Sequence, residues 1–144
     1  MTLLLAVLPV VGLLLAPDHT AMTVIVGATL VDGGGRTPVA DSVVVVRGAV
    51  IAAVGDRVHT PIPKGAALID GRRSWIAPAP ATGPALPAAI AAIVRGPVAR
   101  VQAGQPAHLA LLDADPRRDG GAPPRVRRLW VAGMSRAIAA EAVR

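Results

Sequence analysis

Three histidines, His19, His59 and His108, are the natural first candidates for metal ligands or general bases in this 144-residue chain. Zinc needs three or four converging donors. These three lie in an apolar leader, in a loop containing Pro61 and Pro63, and just ahead of a predicted strand, at no metal-ligand spacing. Cysteine is absent, which excludes thiolate ligation and disulfide staples. Asp113 and Asp115 would suit general acid–base work. Yet Asp113-Ala114-Asp115-Pro116 follows a strand pattern, and Asp before Pro starts turns. Ser135 sits in Gly133-Met134-Ser135-Arg136-Ala137, between a predicted strand and an Ala-rich tail, as a nucleophile elbow would require. The closing Gly of that motif is Ala here, and the partner acid and His must follow the Ser; only Glu141 and no His does so. Ser135 is expected instead to cap a terminal helix over residues 137–143. Gly33-Gly34-Gly35 could cradle a phosphate only if a helix began directly after it. Pro38 and another strand follow, so a plain turn is expected. The residues therefore predict no catalytic group, no metal ligand and no cofactor.

The elements that would position such groups are mostly strands. Residues 23–30 alternate and are β-rich, residues 42–47 form a near-continuous valine run that suits a strand buried on both faces, and residues 49–54 return after Gly48 as a hairpin. Residues 67–70 and 74–77 read as two further short strands, with an edge loop over residues 59–64. Residues 87–94, PAAIAAIV, allow about two helical turns opened by Pro87. The apolar share of 53% comes from small aliphatic residues, with no Phe or Tyr and only Trp75 and Trp130 as aromatics. A net charge of +6 invites a nucleic-acid reading. The arginines are dispersed, however, and no aromatics are interleaved to stack on bases, so solvated arginines and no nucleic-acid partner are expected.

Residues 1–21 form a separate leader. Residues 3–16 are an apolar run broken by Pro9 and Gly12, shorter than the ~20 residues of a membrane span. Its length suits a secretory signal peptide and a secreted or periplasmic protein, although the start lacks Lys and Arg. Cleavage after Ala16 or Ala21 would place Leu14 or His19 where a small residue is expected. The alternative is a start at Met22, which would leave the protein cytoplasmic. No stable membrane span is expected.

Four pieces in order carry a family resemblance: Val31-Asp32-Gly33-Gly34-Gly35, residues 41–55 (DSVVVVRGAVIAAVG), residues 63–72 (PKGAALIDGR) and Ile76-Ala77-Pro78. Together they resemble the opening β segment of the amidohydrolase superfamily. Residues 96–116 and 126–133, with Gly96, Val101, Gly104, Ala107, residues 109–113 and Asp115-Pro116, resemble that family's closing β segment; His108 stands where the family has Asp. The resemblance implies hydrolysis of C–N bonds other than peptide bonds, by a metal site in a (β/α)8 barrel that lies between the two segments.

Here the barrel has no room. The family's Asp-x-His-x-His run should follow Pro78, but Ala79, Pro80, Ala81, Thr82 and Gly83 stand there. Seventeen residues separate Pro78 from Gly96, against about 250 for a barrel. The expected organisation is residues 1–21 as leader, 22–78 as the first half of a small β-sandwich, 79–95 as a Pro/Ala linker in place of the barrel, and 96–144 as the second half with a terminal helix. The expected fold class is mainly β, a barrel-like sandwich of seven or eight short strands with a linker helix and a carboxyl-terminal helix. An apolar patch left by the missing barrel is the expected place for self-association or a partner chain.

Overall fold

The computed structural model describes residues 21–33, 35–80, 86–96 and 100–137. Among the described residues there are eight strands, β1 (Met22–Leu30), β2 (Val39–Arg47), β3 (Val50–Asp56), β4 (Ala67–Asp70), β5 (Trp75–Pro78), β6 (Leu109–Leu112), β7 (Val126–Val131) and β8 (Met134–Ala137), with one helix, α1 (Leu86–Arg95), between β5 and β6. All eight strands belong to one sheet ordered β3-β2-β1-β5-β6-β7-β8, with β4 also paired to β1. The protein is mainly β, as its alternating and β-branched runs predict.

β1 organises the sheet. Its whole length pairs antiparallel with β2, while its other edge is shared. Thr23 to Val26 take β4 in parallel, and Thr29 and Leu30 take β5 in parallel. β5 then pairs antiparallel with β6, from Pro78 opposite Leu109 to Trp75 opposite Leu112. The opening and closing segments thus share a ladder and also a core. Ile25, Val44, Val46, Ile51 and Ile76 from the first pack with Val101, Leu109, Leu111 and Trp130 from the second.

β2 is buried on both faces, as its valine run predicts. Val44 and Val46 face the main core, while Val43 and Val45 pack with Val24 on the opposite side. The sheet curls so that its β3 edge meets the chain entering β6, where Val50 bridges Pro106 and Ile51 N–H donates to Gln105 O at 2.9 Å.

α1 forms where an Ala-rich run offers good helix formers, and Pro87 falls in its first turn, where a missing N–H costs little. It ends at Gly96, whose N–H donates to the carbonyls of Ala92 and Ile93. Ile90 and Val94 are buried against Val31, Ala77, Ala79, Ala110 and Leu112. Burying each such side chain stabilises by about 1.5–3 kcal/mol. The sheet face beside the linker is therefore covered by the linker's own helix.

The carboxyl-terminal expectation needs correction at its start. Ser135 is no helix cap: it lies within β8, opposite Trp130, after a tight turn at Ala132 and Gly133. Both turn residues have positive φ, 48° and 78°, the geometry of a two-residue hairpin turn whose twist matches its strands. Residues 138–143 of the expected helix and the leader, residues 1–20, lie outside the described residues.

Candidate functional site

The candidate residues do not converge. His19 lies outside the described residues. His59 follows β3, with its side chain 81% exposed and Nδ1 at 2.8 Å from both carboxylate oxygens of Asp56. The His59 backbone N–H also donates to Asp56 Oδ1 at 2.8 Å. Hydrogen bonding from the His59 ring is the main cause that holds the Asp56 carboxyl below its ordinary value. This His–Asp pair escaped the sequence reading, although the i,i+3 spacing in a turn was its signal. No nucleophile stands beside it in the contacts described.

His108 sits at the entry to β6 and serves the backbone: its Nδ1 accepts the Ala132 N–H at 3.2 Å. Asp113 and Asp115 do not form a pair. Asp113 Oδ1 accepts the Arg125 N–H at 2.7 Å, and Asp115 is gripped by Arg117 through Nε at 3.0 Å, Nη2 at 2.7 Å and the backbone N–H at 2.9 Å. The Arg117 guanidinium is the first cause that lowers the Asp115 carboxyl. Both acids therefore organise the turn after β6, as the Asp–Pro spacing predicts.

The glycine turn after β1 contains an interaction that the sequence did not reveal. Asp32 Oδ1 accepts the Gly33 N–H and the Val101 N–H, each at 2.9 Å. One carboxylate oxygen thereby joins the two halves of the chain. Gly34 lies outside the described residues. Of the positions where the family's first metal ligands would stand, Ala79 donates its N–H to His108 O at 3.0 Å, and residues 81–83 lie outside the described residues. Among the described residues, no three His, Asp or Glu side chains are grouped to hold a metal ion.

Two concavities stand out among the described residues. A cleft of about 520 Å³ lies between α1 and the loop after β6, lined by Ala91, Arg95, Pro116, Arg118, Pro123 and Pro124. Arg95 Nη2 reaches Asp119 Oδ1 at 2.6 Å and ties the helix to that loop. A shallower groove of about 360 Å³ has Val26, Ile62, Leu68 and Ile69 in its lining, with Arg57, Asp70 and Arg72 beside them. Arg72 holds Asp70 through three side-chain contacts of 2.7–3.1 Å, and this grip brings the Asp70 carboxyl down to about 2. Arg57 Nε bridges both oxygens of Asp41 at 3.0 and 2.9 Å. Neither concavity offers a nucleophile with its base. Among the described residues, no helix is long and apolar enough to cross a membrane.

No protein-family model matches the chain, and no curated protein matches it. Solved structures do. The chain is similar to phenylurea hydrolase B, with 39% identity and a TM-score of 0.39 over 41% of this chain and 13% of that one. It is similar to molinate hydrolase, with 32% identity and a TM-score of 0.38 over 42% of this chain and 13% of that one. It is also similar to a triazine hydrolase variant, with 22% identity and a TM-score of 0.36 over 41% and 13%. The chain thus spans only about 13% of the length of these enzymes.

Proposed function

We propose that this chain is an amidohydrolase-type β domain that stands without a catalytic barrel and has no hydrolytic activity by itself. The observation that carries this reading is the β5–β6 ladder. Pro78, where the opening segment ends, pairs with Leu109 of the closing segment, and α1 lies in the stretch between them. The order of motifs along the sequence supplies the ancestry, and the common core of both segments supports a domain that folds as a unit. The covering of one sheet face by Ile90 and Val94 supports it further, because the linker then shares a core with strands of both segments. The test is to purify the chain, load it with zinc, measure bound metal and assay ureas, amides and lactams. Bound zinc below one equivalent and no turnover are expected; one tightly bound equivalent with turnover would overturn the reading.

A second reading, a docking role, rests on exposed apolar side chains away from α1. Val58 is 87% exposed and Leu68 63% exposed, and Leu68 shares its groove with Ile62. Self-association through this face predicts a concentration-dependent mass in light scattering that Leu68→Glu abolishes. A strict monomer at millimolar concentration would remove the reading.

A further inference from the structure

We propose that His108 is a pH-sensitive latch on the seam that closes the sheet: its neutral ring holds the β7–β8 turn in place, and protonation releases it. Four segments meet at this seam. The Ala107 N–H donates to Ala49 O at 2.9 Å, at the β2–β3 turn. The Gly133 N–H donates to Ala107 O at 3.2 Å, and the Ala79 N–H to His108 O at 3.0 Å. Gly133 also lies directly on the carbonyl of Gly48, so the two hairpin turns touch backbone to backbone. These contacts are all between backbone groups, which do not titrate. The His108 ring adds a side-chain contact to the seam and is its one group that can change charge.

The ring's role is as an acceptor. Nδ1 receives the Ala132 N–H at 3.2 Å, so its lone pair must be available and the proton of the neutral ring must sit on Nε2. An imidazolium has no acceptor nitrogen. Protonation therefore sets two N–H groups against each other and leaves the Ala132 amide without this partner. Ala132 has φ +48°, a left-handed conformation that alanine keeps only when its surroundings impose it. The turn is thus the part of the seam most dependent on the latch.

The segments that meet at the seam carry no other charged side chain. Residues 77–80 at the end of β5, 130–134 around the β7–β8 turn, 48–51 around the β2–β3 turn and 105–110 around the histidine contain no acidic or basic side chain except His108. The nearest charged residues along those segments are Arg47, Asp56, Arg73, Arg95, Arg100, Asp113, Arg128 and Arg136. Mostly cationic, they include the carboxylate of Asp56, which is engaged by His59. Asp113 is engaged with the Arg125 amide. The sign follows: the neutral ring makes the contact and the charged ring does not, so the latch is closed at pH 8 and opens in acid.

The test is amide exchange of Ala132, Gly133 and β8 by NMR on the full chain at pH 8 and pH 5, corrected for intrinsic rates. In the wild type, protection of these amides should fall about five- to thirtyfold at pH 5. His108→Asn, whose amide oxygen can accept at the Nδ1 position and does not titrate, should flatten that dependence. His59→Gln should retain it. Unchanged protection in the wild type, a drop that persists in His108→Asn, or a drop that vanishes in His59→Gln would each overturn the latch. If His108→Asn is unprotected at both pH values, the wild-type shifts decide. The Ala132 amide must titrate with the His108 ring, and independent movement refutes the proposal.

Discussion

Gly133 and Gly65 offer a controlled measure of how firmly the two hairpin turns are seated. Both have φ +78°, so an alanine at either position suffers the same left-handed backbone penalty, about 1–2 kcal/mol. Their surroundings differ. A Cβ on Gly65 would meet nothing within 4 Å, whereas a Cβ on Gly133 would overlap the Gly48 carbonyl and lie 3.0 Å from Ala49 Cα. These neighbours are backbone atoms, which cannot swing aside as a side chain can. Either the β7–β8 turn lifts away, straining the Gly133–Ala107 and Ala132–His108 bonds, or the β2–β3 turn shifts. Overpacking of this kind costs about 1–3 kcal/mol, and a lost hydrogen bond adds about 0.5–1.5 kcal/mol. Gly65→Ala should therefore cost about 1–2 kcal/mol and Gly133→Ala about 3–5 kcal/mol. Urea unfolding followed by tryptophan fluorescence reads both, because Trp130 is adjacent to the turn and fully buried. Equal losses within about 0.5 kcal/mol would refute the seated turn and the seam built on it.

Asp32 joins the halves through one oxygen, so Asp32→Ala should destabilise by about 1–3 kcal/mol by orphaning two amides, while Asp32→Asn keeps an acceptor and should cost less; urea midpoints compare them. Trp130 is fully buried, and its Nε1–H has no hydrogen-bond partner among the described residues. Trp130→Phe should therefore lose less than about 2 kcal/mol, because removing the unpaired donor offsets part of the lost volume, against about 3–5 kcal/mol for Trp130→Ala. In acid, the carboxyls of Asp56, Asp70 and Asp115 all lie below their ordinary value in the folded chain. Their contribution is complete above the unfolded carboxylate pKa, about 3.9, and is lost as pH falls towards about 2 for Asp70. Melting temperature should accordingly fall below about pH 4, and Asp70→Asn should shallow that limb; an unchanged slope counts against the Arg72–Asp70 pair.

The sequence disclosed those parts of the fold that local chemistry controls. The valine run of β2 announced a doubly buried strand because four successive apolar β-branched residues cannot alternate between core and water. Gly48 marked its hairpin, and Asp115-Pro116 marked the turn after β6. What stayed hidden depends on contacts between distant residues. Nothing near Asp32 signals that its oxygen reaches Val101, and nothing near His108 signals that its ring holds Ala132. β1 gave no sign that its far edge would be divided between β4 and β5. Ser135 was misread for a physical reason: a two-residue hairpin turn is usually signalled by Asn-Gly or Asp-Gly. Ala132 in that position conceals the turn, while the Ala-rich tail suggests a helix start. The candidate site was legible mainly as a set of residue types that do not gather.

The β5–β6 ladder also bears on how quickly the chain can fold. The segment that must close before Pro78 meets Leu109 is about thirty residues, against nearly three hundred with a barrel between them. Loop-closure entropy grows by about 0.6 kcal/mol per doubling, so roughly three doublings make this pairing about 2 kcal/mol easier to nucleate. α1 forms within that loop from local contacts and draws its ends together. The short connection thus makes the β5–β6 ladder a contact of moderate sequence separation that can form early, while the Asp32–Val101 bond, 69 residues apart, follows it.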